Sequence, residues 1–245
     1  MIFHTLASDY DGTIAERGRV AEPTVAALAR VRDSGRAVIL VTGRTLADLQ
    51  QACPGYDRMF LAVVCDNGAC LYLPATRETR VLGAEPEPAL LADLRRRGVA
   101  FAVGHSSIHT DAADADSVLA AIRATGVDRT PIFNRGSLML LPGGVAKGTG
   151  LKAALAATGG SLDTVVGIGD GENDHAFLRE CACGVAVADA IPALRERADY
   201  VTRAPGPDGV VEFIEEHLLH DLRDLVRRAP RRHAEAGPSH TLPDL

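Results

Sequence analysis

The segment Ile2-Phe3-His4-Thr5-Leu6-Ala7-Ser8-Asp9-Tyr10-Asp11-Gly12-Thr13 passes from a strand-like apolar stretch straight into two carboxylates and a glycine. Residues 2–8 predict a strand, and the order of elements after it sets the fold class. Spacing through Val25, Leu28 and Val31 predicts a helix over residues 22–34, which Gly35 stops. Ala37-Val38-Ile39-Leu40-Val41 is a continuous apolar run, suited to a strand buried on both faces. Residues 45–52 then read as helix and residues 60–65 as a third strand. This βαβαβ order favours an α/β fold with a Rossmann-like, doubly wound parallel sheet.

The second half resumes the alternation. Helices are expected over residues 148–158, 173–180 and 191–198, and strands over residues 164–168, 184–187 and 200–202. Between the halves lies a stretch of different texture. It reads as helix 87–97, strands 99–103 and 105–109, helix 114–124, then strands 131–134 and 137–141. This αββαββ order suits a small α+β domain inserted into the first. The expected division is therefore a discontinuous core, 1–75 and 146–228, with an insert over 76–145. Val211, Ile214, Leu218, Leu222 and Leu225 predict a closing amphipathic helix over residues 208–228. Residues 229–245, rich in Pro, Arg, His and Gly, read as a disordered tail.

With 245 residues, 47% apolar and 24% charged, the chain can bury a substantial core. A net charge of −6 argues against a nucleic-acid partner. No apolar run approaches the roughly 18–20 residues of a membrane span, and Asp9 and Asp11 interrupt any signal-like core. A cytoplasmic location is the expectation; nothing in the sequence specifies an oligomeric state. Five cysteines lack zinc-type spacing and are expected to be reduced and mostly buried.

Four polar clusters fall just past expected strands, where ligands bind in open parallel sheets. In Asp9-Tyr10-Asp11-Gly12-Thr13, one carboxylate is a competent nucleophile toward phosphorus and a second can shuttle the proton, although Asp and Gly also make ordinary turns. Thr42-Gly43-Arg44 offers a hydroxyl and backbone N–H groups to a phosphate, or simply a helix cap. Lys147 supplies a point charge for phosphoryl oxygens. It is one of two lysines among 26 basic residues, which weakens its reading as a solvated surface side chain. Gly169-Asp170-Gly171-Glu172-Asn173-Asp174 gathers acids that suit Mg²⁺, or that complement a helix dipole.

Taken together and in this order, the clusters resemble the haloacid dehalogenase superfamily of phosphohydrolases. The likeness covers residues 1–75 and 146–228. The insert resembles the C2-type cap of the Cof-like IIB branch, as do residues 138–148 and Asp66-Asn67-Gly68-Ala69. It departs in size, lacking the extra αβαβ piece of larger caps.

The resemblance implies an Mg²⁺-dependent phosphatase acting on a small phosphorylated metabolite, of the phosphoglycolate or sugar-phosphate kind. It implies that Asp9 attacks phosphorus and that Asp11 acts as acid and base. Mg²⁺ would lie on the Asp9 carboxylate, the Asp11 carbonyl and Asp170, with Asp174 beside them. Thr42 and Lys147 would bind phosphoryl oxygens, and Asn173 would help orient the site. Gly43, Arg44 and Asn67 on the core, and His105, Ser106, His109, Asn134 and Arg135 on the cap, are candidate substrate contacts. A phosphosugar mutase, or a non-catalytic module on the same fold, is the alternative.

Overall fold

The computed structural model describes residues 1–134, 136–223 and 225. From the N-terminus come β1 (Thr5–Ser8), α1 (Glu22–Asp33), β2 (Ala37–Val41), α2 (Leu46–Ala52), α3 (Tyr56–Met59) and β3 (Ala62–Cys65). A hairpin of β4 (Cys70–Leu73) and β5 (Glu78–Val81) comes after them. Next are α4 (Pro88–Arg96), β6 (Ala102–Val103), β7 (Ile108–Asp111), α5 (Ala115–Thr125), β8 (Arg129–Asn134) and β9 (Ser137–Pro142). The chain continues through α6 (Lys147–Thr158), β10 (Val165–Gly169), α7 (His175–Glu180), β11 (Cys183–Ala186), α8 (Pro192–Arg195), β12 (Tyr200–Val201) and α9 (Gly206–Glu216).

Eight strands form one sheet in the order β12-β11-β10-β1-β2-β3-β4-β5, and four form a second in the order β6-β7-β9-β8. The six strands from β12 to β3 are parallel, and the hairpin adds an antiparallel edge. The chain leaves β1 toward β2 on one side and returns at β10 on the other. That reversal opens a crevice at the carboxyl end of β1, the usual ligand position in such sheets.

Burial explains the central strands. Leu6, Ala7, Val38, Ile39, Leu40, Val63, Val64, Val166 and Ile168 are inaccessible to solvent, as strands covered by helices on both faces require. A separate apolar cluster of Leu90, Leu94, Val118, Ala121, Ile108, Leu138 and Leu140 ties α4 and α5 to the small sheet. In that sheet His109 pairs with Met139, and Met139 with Ile132. The buried Arg129 fastens the chain before α4, with its guanidinium on Glu87 and on the carbonyls of Ala84, Glu85 and Ser106.

Three local expectations shift. The β4–β5 hairpin has no signature in the sequence, because β5 is exposed along its length and carries Glu78, Thr79 and Arg80 instead of an apolar alternation. The strands expected over 99–103 and 105–109 shrink to β6 and move to β7, because residues 104–107 make a turn against the core. The closing helix ends at Glu216, followed by a 3-10 turn, Leu218–His220. Asp221 and Leu222 then adopt positive φ, with Asp221 accepting from the Ile2 N–H and from Arg36. The rest of that expected helix, apart from Arg223 and Leu225, and the expected tail lie outside the described residues. The cysteines match expectation: all five are free, and four are buried.

Candidate active site

Each of the four clusters sits at the carboxyl end of the large sheet or at the start of α6. Asp9 follows β1, and its N–H donates to Ile168 O, which fixes β1 beside β10. The Tyr10 carbonyl then accepts from the N–H groups of Ile14 and Ala15, and Gly12 takes φ 81°, so the chain turns sharply. Thr13 is thereby brought under the carboxylates. Its hydroxyl donates to Asp170 Oδ1 at 3.0 Å and lies 3.4 Å from Asp9 Oδ2; with one hydrogen, the shorter contact dominates. Nothing in the sequence marks Thr13 for a role of its own.

Lys147, the first residue of α6, is 2% exposed. Its ammonium lies 2.5 Å from Asp9 Oδ1 and 2.6 Å from Asp174 Oδ1. Asp174 turns its other oxygen to the backbone N–H groups of Asp170 and Gly171, both at 2.9 Å. Oxygens of Asp9, Asp170 and Asp174 all lie within 4.8 Å of one another, and all three residues are buried. Three acids against one buried lysine leave an excess of negative charge in a dry site, and that is costly without a further cation. A cluster of oxygen donors of this kind fits a hard divalent cation.

The electrostatics reflect that crowding. Burial, and then the neighbouring Asp174 and Asp170, push the Asp9 carboxyl well above its usual range, with Lys147 opposing them. Burial pulls Lys147 down, but Asp174 and Asp9 outweigh it and hold the ammonium above its usual value.

Asp11 stands apart. Its exposed carboxylate makes a two-pronged pair with Arg44, Nε to Oδ2 at 2.6 Å and Nη2 to Oδ1 at 2.8 Å. The Arg44 guanidinium also lies 5.1 Å from the Tyr10 ring centroid. Thr42 is buried, and its hydroxyl accepts from the Arg44 N–H. Asn67 binds this loop from the other side, donating its N–H to Thr42 O.

The small sheet roofs the crevice. Asn67 Oδ1 accepts from Asn173 Nδ2 at 2.9 Å, and Asn67 Nδ2 lies 2.9 Å from Met139 Sδ on β9. Met139 also reaches Gly43, where an added Cβ would lie 3.5 Å from its methyl. Asn134 Oδ1, at the end of β8, lies 2.6 Å from where a Cβ on Gly171 would stand, buried and with no hydrogen-bond partner among the described residues. Met139 carries no such signal in the sequence, because a methionine in an apolar strand reads as core. Of the other cap candidates, Ser106 is buried and its hydroxyl donates to Gly83 O. His105 is exposed, His109 contacts Asp66, and Arg135 lies outside the described residues.

The chain is similar to known proteins along most of its length. A family model described as haloacid dehalogenase-like hydrolase matches residues 6–86 and 91–214. The chain is 33% identical over 220 residues to a phosphoglycolate phosphatase of Methanothermobacter thermautotrophicus, covering 85% of this chain and 96% of that one. It is 31% identical to phosphoglycolate phosphatase 2 of Saccharolobus solfataricus, covering 87% and 91%. Among solved structures, the subclass IIB sugar phosphatase BT4131 superposes with a TM-score of 0.71 at 20% identity, over 86% of this chain and 97% of that one. A haloacid dehalogenase-like hydrolase from Bacteroides thetaiotaomicron gives 0.72 at 19%, over 87% and 98%. The chain belongs to the haloacid dehalogenase-like hydrolases. Within them it is a phosphatase. No described helix is long and apolar enough to cross a membrane.

Proposed function

We propose that this protein hydrolyses the phosphomonoester of a small metabolite through an aspartyl-phosphate on Asp9, using Mg²⁺. The observation that carries this reading is the buried set of Asp9, Asp170 and Asp174 around a single buried lysine. Asp9, Asp170 and the Asp11 carbonyl would hold the cation, with Asp174 beside them. When bound, Mg²⁺ supplies positive charge that lets an anionic carboxylate approach an anionic phosphate.

The remaining steps belong to side chains. Asp9 attacks phosphorus in line, and the ester oxygen leaves with a proton from Asp11. Asp11 then takes the proton of the water that opens the acyl phosphate. Its carboxylate must exchange Arg44 for the leaving oxygen in the first step and for the attacking water in the second. Lys147 and the Thr42-Gly43 loop neutralise charge on the phosphoryl oxygens, where transition-state charge collects. Thr13 and Asp174 hold Asp170 and Lys147 in place.

Residues 1–81 and 146–223 act as the catalytic core and residues 82–145 as a cap over it; the cap starts later than residue 76 because β5 pairs with β4 in the large sheet. With Met139 and Asn134 against Gly43 and Gly171, little room remains beyond the phosphoryl group. The leaving group is therefore small, and Asn67, Asn134, Asn173 and Arg44 are the side chains assigned to it. The named relatives make 2-phosphoglycolate the first candidate, ahead of sugar phosphates. Phosphate release should be measured over a panel of both kinds, with excess Mg²⁺ and with excess EDTA. Selective release of phosphate from one small compound, lost in EDTA, is expected. Phosphoryl transfer to a second sugar without free phosphate would favour a mutase instead.

A further inference from the structure

Asp66, Asn67 and Gly68 leave β3 with three consecutive positive φ angles of 51°, 51° and 103°. Two of these residues carry side chains in a region that L residues rarely occupy, so the surroundings must hold them there. Asp66 is fully buried, and the partners of its carboxylate come from the cap. The His105 N–H donates to Oδ2 at 3.3 Å and the Ser107 hydroxyl to Oδ1 at 3.0 Å, with His109 Nε2 3.3 Å from Oδ1.

Hydrogen accounting fixes the histidine. Ser107 gives its one hydrogen to Asp66, so across the 2.7 Å contact between Ser107 Oγ and His109 Nε2 the nitrogen must donate. His109 therefore carries hydrogen on Nε2, turned toward Ser107 and Asp66. Among the described residues it is the only basic side chain within ion-pair distance of that carboxylate.

The chain is also shaped around this contact. A Cβ on Gly104 would fall 2.8 Å from both Asp66 oxygens and 2.4 Å from Ser107 Oγ, so the cap backbone passes with no room for a side chain. What the carboxylate holds matters for the crevice. Asn67, the next residue, contacts Asn173 and Met139, and Met139 is the strand partner of His109. One core carboxylate thus sets both sides of the roof above Thr42 and Gly43.

We propose that Asp66 is a positioning residue that registers the cap on the core and thereby sets how tightly a small substrate is held, without touching it. This rests on the phosphatase reading above. The test uses the full-length chain with Mg²⁺, as wild type, Asp66→Ala, Asp66→Asn and Ser107→Ala. The probes are 2-phosphoglycolate and acetyl phosphate, which is small enough for the crevice and whose activated leaving group needs no help from the cap.

For Asp66→Ala, KM for 2-phosphoglycolate should rise about tenfold or more while kcat stays within about threefold. Turnover of acetyl phosphate should stay within about twofold. Ser107→Ala should shift KM in the same direction by less, and Asp66→Asn, which keeps one acceptor, should fall between wild type and Asp66→Ala. Hydrogen exchange in the peptide spanning residues 104–109 should accelerate in step.

Equal losses of kcat on both probes, or no change in KM and in exchange, would overturn the proposal. Should Asp66→Ala fail to fold, Ser107→Ala carries the same reading, because it removes a cap-side partner and leaves the positive-φ loop intact. Wild-type inactivity on both probes would refute the phosphatase reading instead. Exchange at residues 104–109 would then decide whether Asp66 holds the cap.

Discussion

Lys147 Nζ lies 2.5 Å from Asp9 Oδ1, joining residues 138 positions apart in sequence, and neither side chain is accessible enough for water to take the other's place. The contact places the ammonium beside the proposed nucleophile, with Asp174 locking it from the far side. Much of the site's behaviour stems from this pairing.

Removing the lysine should expose its electrostatic role. Lys147→Met leaves three buried carboxylates with no buried cation, and breaking such a pair costs about 3–5 kcal/mol. Thermal melts should show a clear loss of stability, partly recovered by Mg²⁺, and turnover should collapse. An unchanged melting temperature without Mg²⁺ would contradict the charge argument.

The two acids at the end of β1 should separate kinetically. Asp11→Asn removes the proposed general acid and base, and should lower kcat by about 10²–10⁴-fold. Arg44→Ala removes the partner that parks Asp11 and one contact assigned to the leaving group, so it should act mainly on KM and lower kcat no more than about tenfold. If the two variants lose the same activity, Asp11 is not the proton-transfer group.

Gly68 should tolerate no side chain. A Cβ there would stand 2.0 Å from Ala146 O, at φ 103°, directly behind Lys147. Gly68→Ala should destabilise by about 2–4 kcal/mol and lower activity by shifting the start of α6. Denaturant titration and steady-state kinetics on the same preparation test both effects.

A pH dependence comes from the far end of the molecule. The Ile2 N–H, and then Arg36, hold the Asp221 carboxyl at about 2, below its ordinary 3.8. The folded value is the lower one, so this contribution is present above about pH 4 and fades as pH falls toward about 2. Asp221→Asn should be less stable than wild type at neutral pH, and the difference should vanish near the acid end. A constant difference across the range would rule the linkage out.

What the sequence disclosed obeys one rule: a signal is legible where chemistry and secondary structure share a short segment. Asp9, Thr42 and Asp170 each follow a buried apolar run, so their common edge can be read from strand order alone. Lys147 is legible through its glycine-rich approach and the scarcity of lysine. Contacts made only in three dimensions leave no such mark. Asp66 stands out in sequence only as part of the signature-like stretch 66–69, and its contacts exist only once the 104–109 segment folds against it; Met139 reads as core until the cap lies over Gly43. The edge strand β5 lacks an apolar pattern because its side chains are exposed on both faces. The closing helix reads too long because Leu222 and Leu225 keep the helical spacing, while Asp221 leaves it to bind Ile2 and Arg36.

The most direct test of the account is to trap the covalent intermediate. Wild type and Asp9→Asn would be mixed with the preferred phosphomonoester and Mg²⁺, quenched rapidly in acid, and mapped by peptide mass spectrometry. A phosphoryl group on the peptide at Asp9 in wild type, with neither adduct nor phosphate release from Asp9→Asn, is the predicted result. Substantial phosphate release by Asp9→Asn, or a phosphoryl group on a different residue, would contradict it.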